Sequence, residues 1–149
     1  METLVIGTGN EVYGDDSIGI HILRKLQRLA LPKRITLLSI GTDPFILMGQ
    51  DLNRYQRIIV VDGIKLDRYK AKIYFSPAEE LKPRPRPYSI HDITWCEVLK
   101  MEGVLAKTWL FSVETKTLQT GIELSPALQE NLEYYAAKLH VLLMGYTVC

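Results

Sequence analysis

Two cysteines, Cys96 and Cys149, are too few and too oddly placed for a disulfide framework, and no CxxC or Cys/His pair offers a structural zinc site. Both read as free thiols of a reducing compartment. An excess of either charge is lacking too, since 18 Lys and Arg stand against 17 Asp and Glu. That balance removes the electrostatic case for a nucleic-acid or membrane-surface partner. Long apolar runs are also missing: HVLLMGYTV, residues 140–148, is among the longest and falls well short of the roughly 20 residues of a membrane span. No membrane insertion is expected. The chain starts directly on strand-like TLVIG, without the basic start and apolar block of a signal peptide, so the expected location is cytoplasmic. Neither a repeat nor a linker divides the 149 residues. A single domain spanning 1–149 is expected, large enough to bury roughly two-thirds of its unfolded surface.

The runs that are present have a clear order. TLVIG (3–7), ITLLS (35–39), RIIVVD (57–62) and TWLFSV (108–113) are short and apolar on consecutive positions, the pattern of strands buried on both faces. AKIYFS (71–76) alternates more and fits an edge strand. Ile18, Ile22, Leu26 and Leu29 recur at helical spacing, predicting an amphipathic helix that ends near Pro32. A second helix is predicted from Asp43 or Pro44 to about Leu52, and a third from Asp92 to about Met101, closed by Gly103. For the last, Ser125 suits the cap and Pro126 the first helical position, before a stripe of Leu128, Leu132, Tyr135, Leu139 and Leu142. The expected fold is α/β: a three-layer sandwich with a mostly parallel twisted sheet of about five strands and helices on both faces. The alternating prolines of KPRPRPY (82–88) hold an extended loop just before His91.

In such a sheet, ligands bind outside the carboxyl ends of the strands. Asp16, Asp62 and His91 fall there, and Gly41 and Thr42 join the same edge. Each also has a plain structural reading. Asp15 suits the cap of the first helix, with Asp16 in its first turn complementing the dipole. Asp62 before Gly63 suits a turn, His91 suits a helix start, and Glu114 either faces the crevice or solvates a strand end. His21 and His140 fit half-exposed structural roles. The turn GTGNEVYGDD (7–16) lacks the third glycine of a dinucleotide site and the Lys-Ser/Thr pair of a phosphate loop. It also places negative charge where a phosphate would sit, which argues against a nucleotide. Two carboxylates and an imidazole suit a divalent transition ion instead, such as nickel, iron, cobalt or zinc.

LVIGTGNEVYGDDSIGIHILRKL (4–26) resembles the opening of the hydrogenase maturation endopeptidases: an apolar strand, GxGN, then Asp-Asp or Asp-Glu before an apolar-Gly-apolar helix start. RIIVVDGI (57–64) is similar to that family's second motif, SIHDI (89–93) to its His-centred third, and VETKTLQTGIELSP (113–126) to a fourth stretch before the final helix. The resemblance implies an endopeptidase that removes the C-terminal extension from the large-subunit precursor of a nickel-iron hydrogenase after nickel insertion. It implies that Asp16, Asp62 and His91 form the catalytic and metal-contacting triad, with Gly41 and Thr42 at the substrate. The nickel is supplied by the precursor, and another divalent ion is an alternative in its place. One departure stands out. Where the family has Asp-Gly-Gly-Thr, this chain has SIGT (39–42), so Ser39 replaces a carboxylate and Ile40 a glycine. That departure keeps open a second reading, a non-catalytic, metal-dependent binding or chaperone-like module for the nickel-loaded precursor.

Overall fold

The computed structural model of the chain describes residues 1–12, 14–65, 72–80, 94–115 and 123–145, apart from the side chain of Lys65. Its strands are β1 (Thr3–Thr8), β2 (Ile35–Gly41), β3 (Arg57–Lys65), β4 (Ile73–Pro77) and β5 (Thr108–Thr115). They form one sheet in the order β2-β1-β3-β5-β4, parallel throughout except for the antiparallel edge strand β4. Pro77 ends that edge strand, where a missing backbone donor is tolerated.

Alternation along the strands creates two apolar layers. Val5, Ile59, Val61, Phe111 and Val113 face α1 (Ile18–Leu26) and α3 (Pro126–Leu143), packing on Ile18, Ile22, Leu26, Leu132, Tyr135 and Leu139. Leu4, Ile6, Ile58, Val60 and Leu110 face the other side, against Val98 and Leu99 of α2 (Trp95–Met101) and against Leu47 and Leu52. Both faces of the central strands are therefore dry, which explains why their sequences are continuously apolar.

Packing, more than capping, holds α1. Ser17 occupies its N-cap without a side-chain bond to the helix it caps, and Asp15 lies in the preceding 3-10 turn, Gly14–Ser17, so the expected Asp15 cap is not formed. A missing cap forgoes about 1 kcal/mol. Ile18, Ile22, Leu23 and Leu26, all fully buried, each contribute about 1.5–3 kcal/mol by leaving water. The helix ends at Leu26, and Leu29 is exposed beyond it.

The predicted second helix is a 3-10 turn, Pro44–Gly49, followed by another at Leu52–Arg54. Pro44 and Leu47, three residues apart, are its buried residues, a spacing that matches three residues per turn. Asp43 caps it by accepting the Phe45 N–H at 3.0 Å. The third helix starts at Trp95, where the Glu97 carboxylate accepts the Thr94 N–H at 2.8 Å and also pairs with the Thr94 hydroxyl. The proposed start at Asp92 lies outside the described residues. α3 begins at Pro126 as expected, yet the Ser125 side chain makes no cap bond.

β1 is the strand from which neighbours extend in both directions, to β2 and to β3. The crevice beyond the carboxyl ends of β1 and β3 is thus the topological switch point of the sheet, the standard ligand position in open α/β folds.

Candidate active site at the carboxyl edge of the sheet

Two glycines shape the turn that leaves β1. Gly9 adopts φ +133°, and a Cβ there would lie 1.9 Å from the Asp16 carbonyl oxygen, so only glycine lets the loop pack on the Asp16 turn. The Gly9 N–H donates to the Gly41 carbonyl at 3.0 Å, and Gly41 itself sits at φ +58°. Gly41 therefore ties the end of β2 to the β1 loop, while Thr42 beside it is exposed.

This packing aims Asp16. Its Oδ2 accepts the Asn10 N–H at 2.7 Å, and Oδ1 has no hydrogen bond among the described residues. Asp62 reaches the same crevice from within β3, which runs on to Lys65 instead of ending at Asp62, on the face that also carries Ile58 and Val60. Its Oδ1 accepts the Gly63 N–H at 2.8 Å, and its Oδ2 accepts the Trp95 indole N–H at 3.3 Å.

The electrostatics favour a cation. Burial pushes the Asp62 carboxyl up to about 6, against the downward pull of hydrogen bonds from Thr8, Trp95 and Gly63, and the charge of Asp16 adds to the rise. Among the described residues, neither carboxylate forms an ion pair with Lys or Arg. The crevice thus holds two acidic groups, the charge of Asp16 opposing ionisation of Asp62, with no side-chain cation paired to either among the described residues. His91 lies outside the described residues, and among those described no three His, Cys, Asp or Glu side chains are grouped to hold a metal.

Trp95 escaped the sequence reading. A buried indole needs an acceptor for its N–H, and the helix start four residues after His91 offered the signal. We expect Trp95→Phe to keep most of the packing while withdrawing about 0.5–1.5 kcal/mol of support from the Asp62 carboxylate. Denaturant unfolding should show that loss, with an unchanged circular dichroism spectrum.

The SIGT segment has a plain structural place. The β1–β2 register shifts between Gly7, opposite Ser39, and Thr8, opposite Gly41, leaving Ile40 as the extra residue of a bulge. Ile40 is buried in the α2-side layer and Ser39 is exposed at the sheet edge. The isoleucine is a packing residue, and neither change touches a hydrogen bond of Asp16 or Asp62. Glu114 does not solvate a strand end: it is buried, and its Oε2 accepts the Tyr74 hydroxyl at 3.4 Å. His21 and His140 take structural places. His21 is half-buried, its pKa lowered first by burial and then by Arg24, and His140 Nε2 lies 3.5 Å from the Ala30 carbonyl.

Comparison with known proteins bears on the family and the fold. A family model for hydrogenase maturation proteases matches residues 20–140, a span that includes Asp62 and His91 and begins after Asp16. The chain is 29% identical over 140 residues to the hydrogenase 2 maturation protease of Escherichia coli, covering 89% of this chain and 85% of that one. It superposes on the hydrogenase maturating endopeptidase HybD of Escherichia coli with a TM-score of 0.76 at 25% identity, covering 97% of this chain and 94% of the other. The crystal structure of the [NiFe] hydrogenase maturation protease HycI of Thermococcus kodakarensis shares the fold, with a TM-score of 0.79 at 20% identity over 97% and 93% of the two chains. With more than half of its length matched by the family and its sheet and helices in the same arrangement, the chain belongs to the hydrogenase maturation protease family.

Proposed function

We propose that the protein is a cytoplasmic endopeptidase that removes the C-terminal extension from the large-subunit precursor of a nickel-iron hydrogenase, and that it recognises the precursor by its inserted nickel. The observation that carries this reading is Asp62, a half-buried carboxylate held up to about 6 beside Asp16, with no side-chain cation paired to either among the described residues. A divalent ion arriving on a substrate relieves exactly that repulsion, so the pair discriminates a loaded precursor from an empty one. In this reading Asp16 and Asp62 contact the nickel together with His91, while the Gly41–Thr42 edge runs beside the substrate peptide.

Fixing the scissile bond against a rigid strand end supplies several kcal/mol of the barrier by positioning alone. The substrate's metal adds Lewis-acid polarisation of a carbonyl or acidification of a water. The chain's own contribution is to hold the two carboxylates: Asn10 N–H fixes one oxygen of Asp16, and Trp95 and Gly63 fix Asp62. Ser39, exposed where the family carries a carboxylate, favours the second reading, a module that grips the loaded precursor without cutting it.

Intact-mass measurement after incubation with nickel-loaded precursor separates the two. A shortened large subunit is the expected product, and Asp16→Ala is expected to leave the precursor full-length while remaining folded. A full-length subunit held in a stable complex with the wild-type protein would establish the binding module.

A further inference from the structure

The turn that carries Asp16 also carries Asp15, whose carboxylate the proposed reaction leaves unused. Asp15 is fully buried, and its Oδ1 accepts the backbone N–H of Ser125 at 2.6 Å, across 110 residues of chain. Asp15 Oδ2 and Ser125 Oγ are buried beside this bond without partners among the described residues. Stability alone does not call for the arrangement. A serine cap of its own helix would satisfy the start of α3, and a buried carboxylate with an idle oxygen costs more than a neutral pair. The positive end of the 18-residue α3 makes the carboxylate tolerable there.

The geometry points to a purpose at the neighbouring residue. Gly14–Ser17 is a four-residue 3-10 turn, closed by the Ser17 hydroxyl donating to the Gly14 carbonyl at 2.6 Å. Successive side chains in such a turn diverge by about 120°. Anchoring Asp15 toward α3 therefore turns Asp16 toward Asn10 and the crevice. The same turn abuts β3, since a Cβ on Gly63, next to Asp62, would lie 3.5 Å from the Asp15 carbonyl oxygen. We propose that Asp15 is a positioning residue, which sets the Asp16 carboxylate relative to Asp62 by tethering their shared turn to the N-terminus of α3. This inference rests on the reading of Asp16 given above.

Three variants test it. Asp15→Ala removes the acceptor. Ser125→Pro removes the donor N–H at a backbone φ of −58° that proline adopts, and it also replaces the hydroxyl and seats its ring against Asp15 Oδ1, so it breaks the tether from the α3 side. Asp15→Asn keeps an acceptor oxygen in the same volume. Processing of nickel-loaded precursor is measured as kcat and KM at a temperature where circular dichroism shows each variant fully folded, and nickel(II) binding is measured by calorimetry. The expected result is a kcat lower by about 10- to 100-fold for Asp15→Ala and Ser125→Pro, weaker nickel(II) binding in both, and recovery of most of the rate in Asp15→Asn. Fully folded Asp15→Ala and Ser125→Pro proteins with wild-type kcat and nickel(II) affinity would overturn the tether and leave Asp15 a structural group. Asp16→Ala, assayed alongside, separates the two levels. If it processes normally, the reading of Asp16 fails and the tether with it, whereas an inactive Asp16→Ala beside normal tether variants removes the tether alone.

Discussion

Asp62→Asn is expected to lose processing of the nickel-loaded precursor by about two orders of magnitude or more while making the substrate-free protein more stable at neutral pH. The two effects share one cause. The folded-state pKa of Asp62 is raised from 3.8 to about 6, with burial the largest contribution. The native state therefore holds a proton that the unfolded chain has released between those values, and stability falls as pH rises from about 4 through 6. Above that window the ionised carboxylate costs about 2 kcal/mol, less than the shift alone implies because Asp62 is only half-buried. Asparagine removes this cost. It also gives up one of two acceptor oxygens, since the Gly63 and Trp95 donors cannot both face a single carbonyl, a loss of about 1 kcal/mol. The net gain of about 1 kcal/mol should appear at pH 8, vanish or reverse at pH 4, and be read by denaturant unfolding across that range. A variant with the same pH profile as the wild type would show that Asp62 does not titrate in the folded protein as described.

Gly19→Ala is expected to destabilise the fold by about 3–5 kcal/mol and lower Tm by about 10 °C or more. A Cβ at Gly19 would lie 2.2 Å from the Val61 carbonyl oxygen and 2.7 Å from that of Thr8. Both obstacles are backbone atoms, one within β3 and one at the end of β1, so α1 must lift from the sheet and carry the Asp16 turn with it. Gly7 provides the contrast: its Cβ would approach a Leu23 methyl at 2.8 Å, which can rotate away, and the Gly19 carbonyl oxygen at 3.2 Å, which needs a shift of only a few tenths of an ångström. Gly49, with nothing within 4 Å, serves as the neutral control. Thermal unfolding of the three alanine variants should rank them Gly49, Gly7, Gly19 in increasing damage. A Gly19→Ala protein as stable as Gly49→Ala would mean that α1 does not seat on the strand ends as described.

The central strands were legible because burial on both faces leaves an unbroken apolar run, and β1, β3 and β5 lie where such runs fall, as does the edge strand β2, whose Thr36, Leu37 and Leu38 are half-buried. Their carboxyl ends place Asp16 and Asp62 at one edge by topology alone, which is why two residues far apart in sequence are read into one crevice. Local rules failed where long-range partners intervened. Asp15 looks like a cap for α1, yet its acceptor oxygen serves Ser125 on a different helix, and Ser125 in turn leaves its own helix uncapped. The segment after Asp43 has helical composition, but with Pro44 and Leu47 as its buried residues it settles as a 3-10 turn. Trp95 and Thr8 could not be assigned to Asp62 before the register of β1 and β3 was known, and the bulge that buries Ile40 is invisible without a partner strand.

The central claim is that the carboxylate pair recognises a metal carried by the substrate. Its most direct test is intact-mass analysis of the large-subunit precursor, prepared with and without nickel and incubated with the wild-type protein under identical conditions. The account predicts that the nickel-loaded precursor is shortened at its C-terminus and the nickel-free one is left whole. Equal cleavage of both would contradict it.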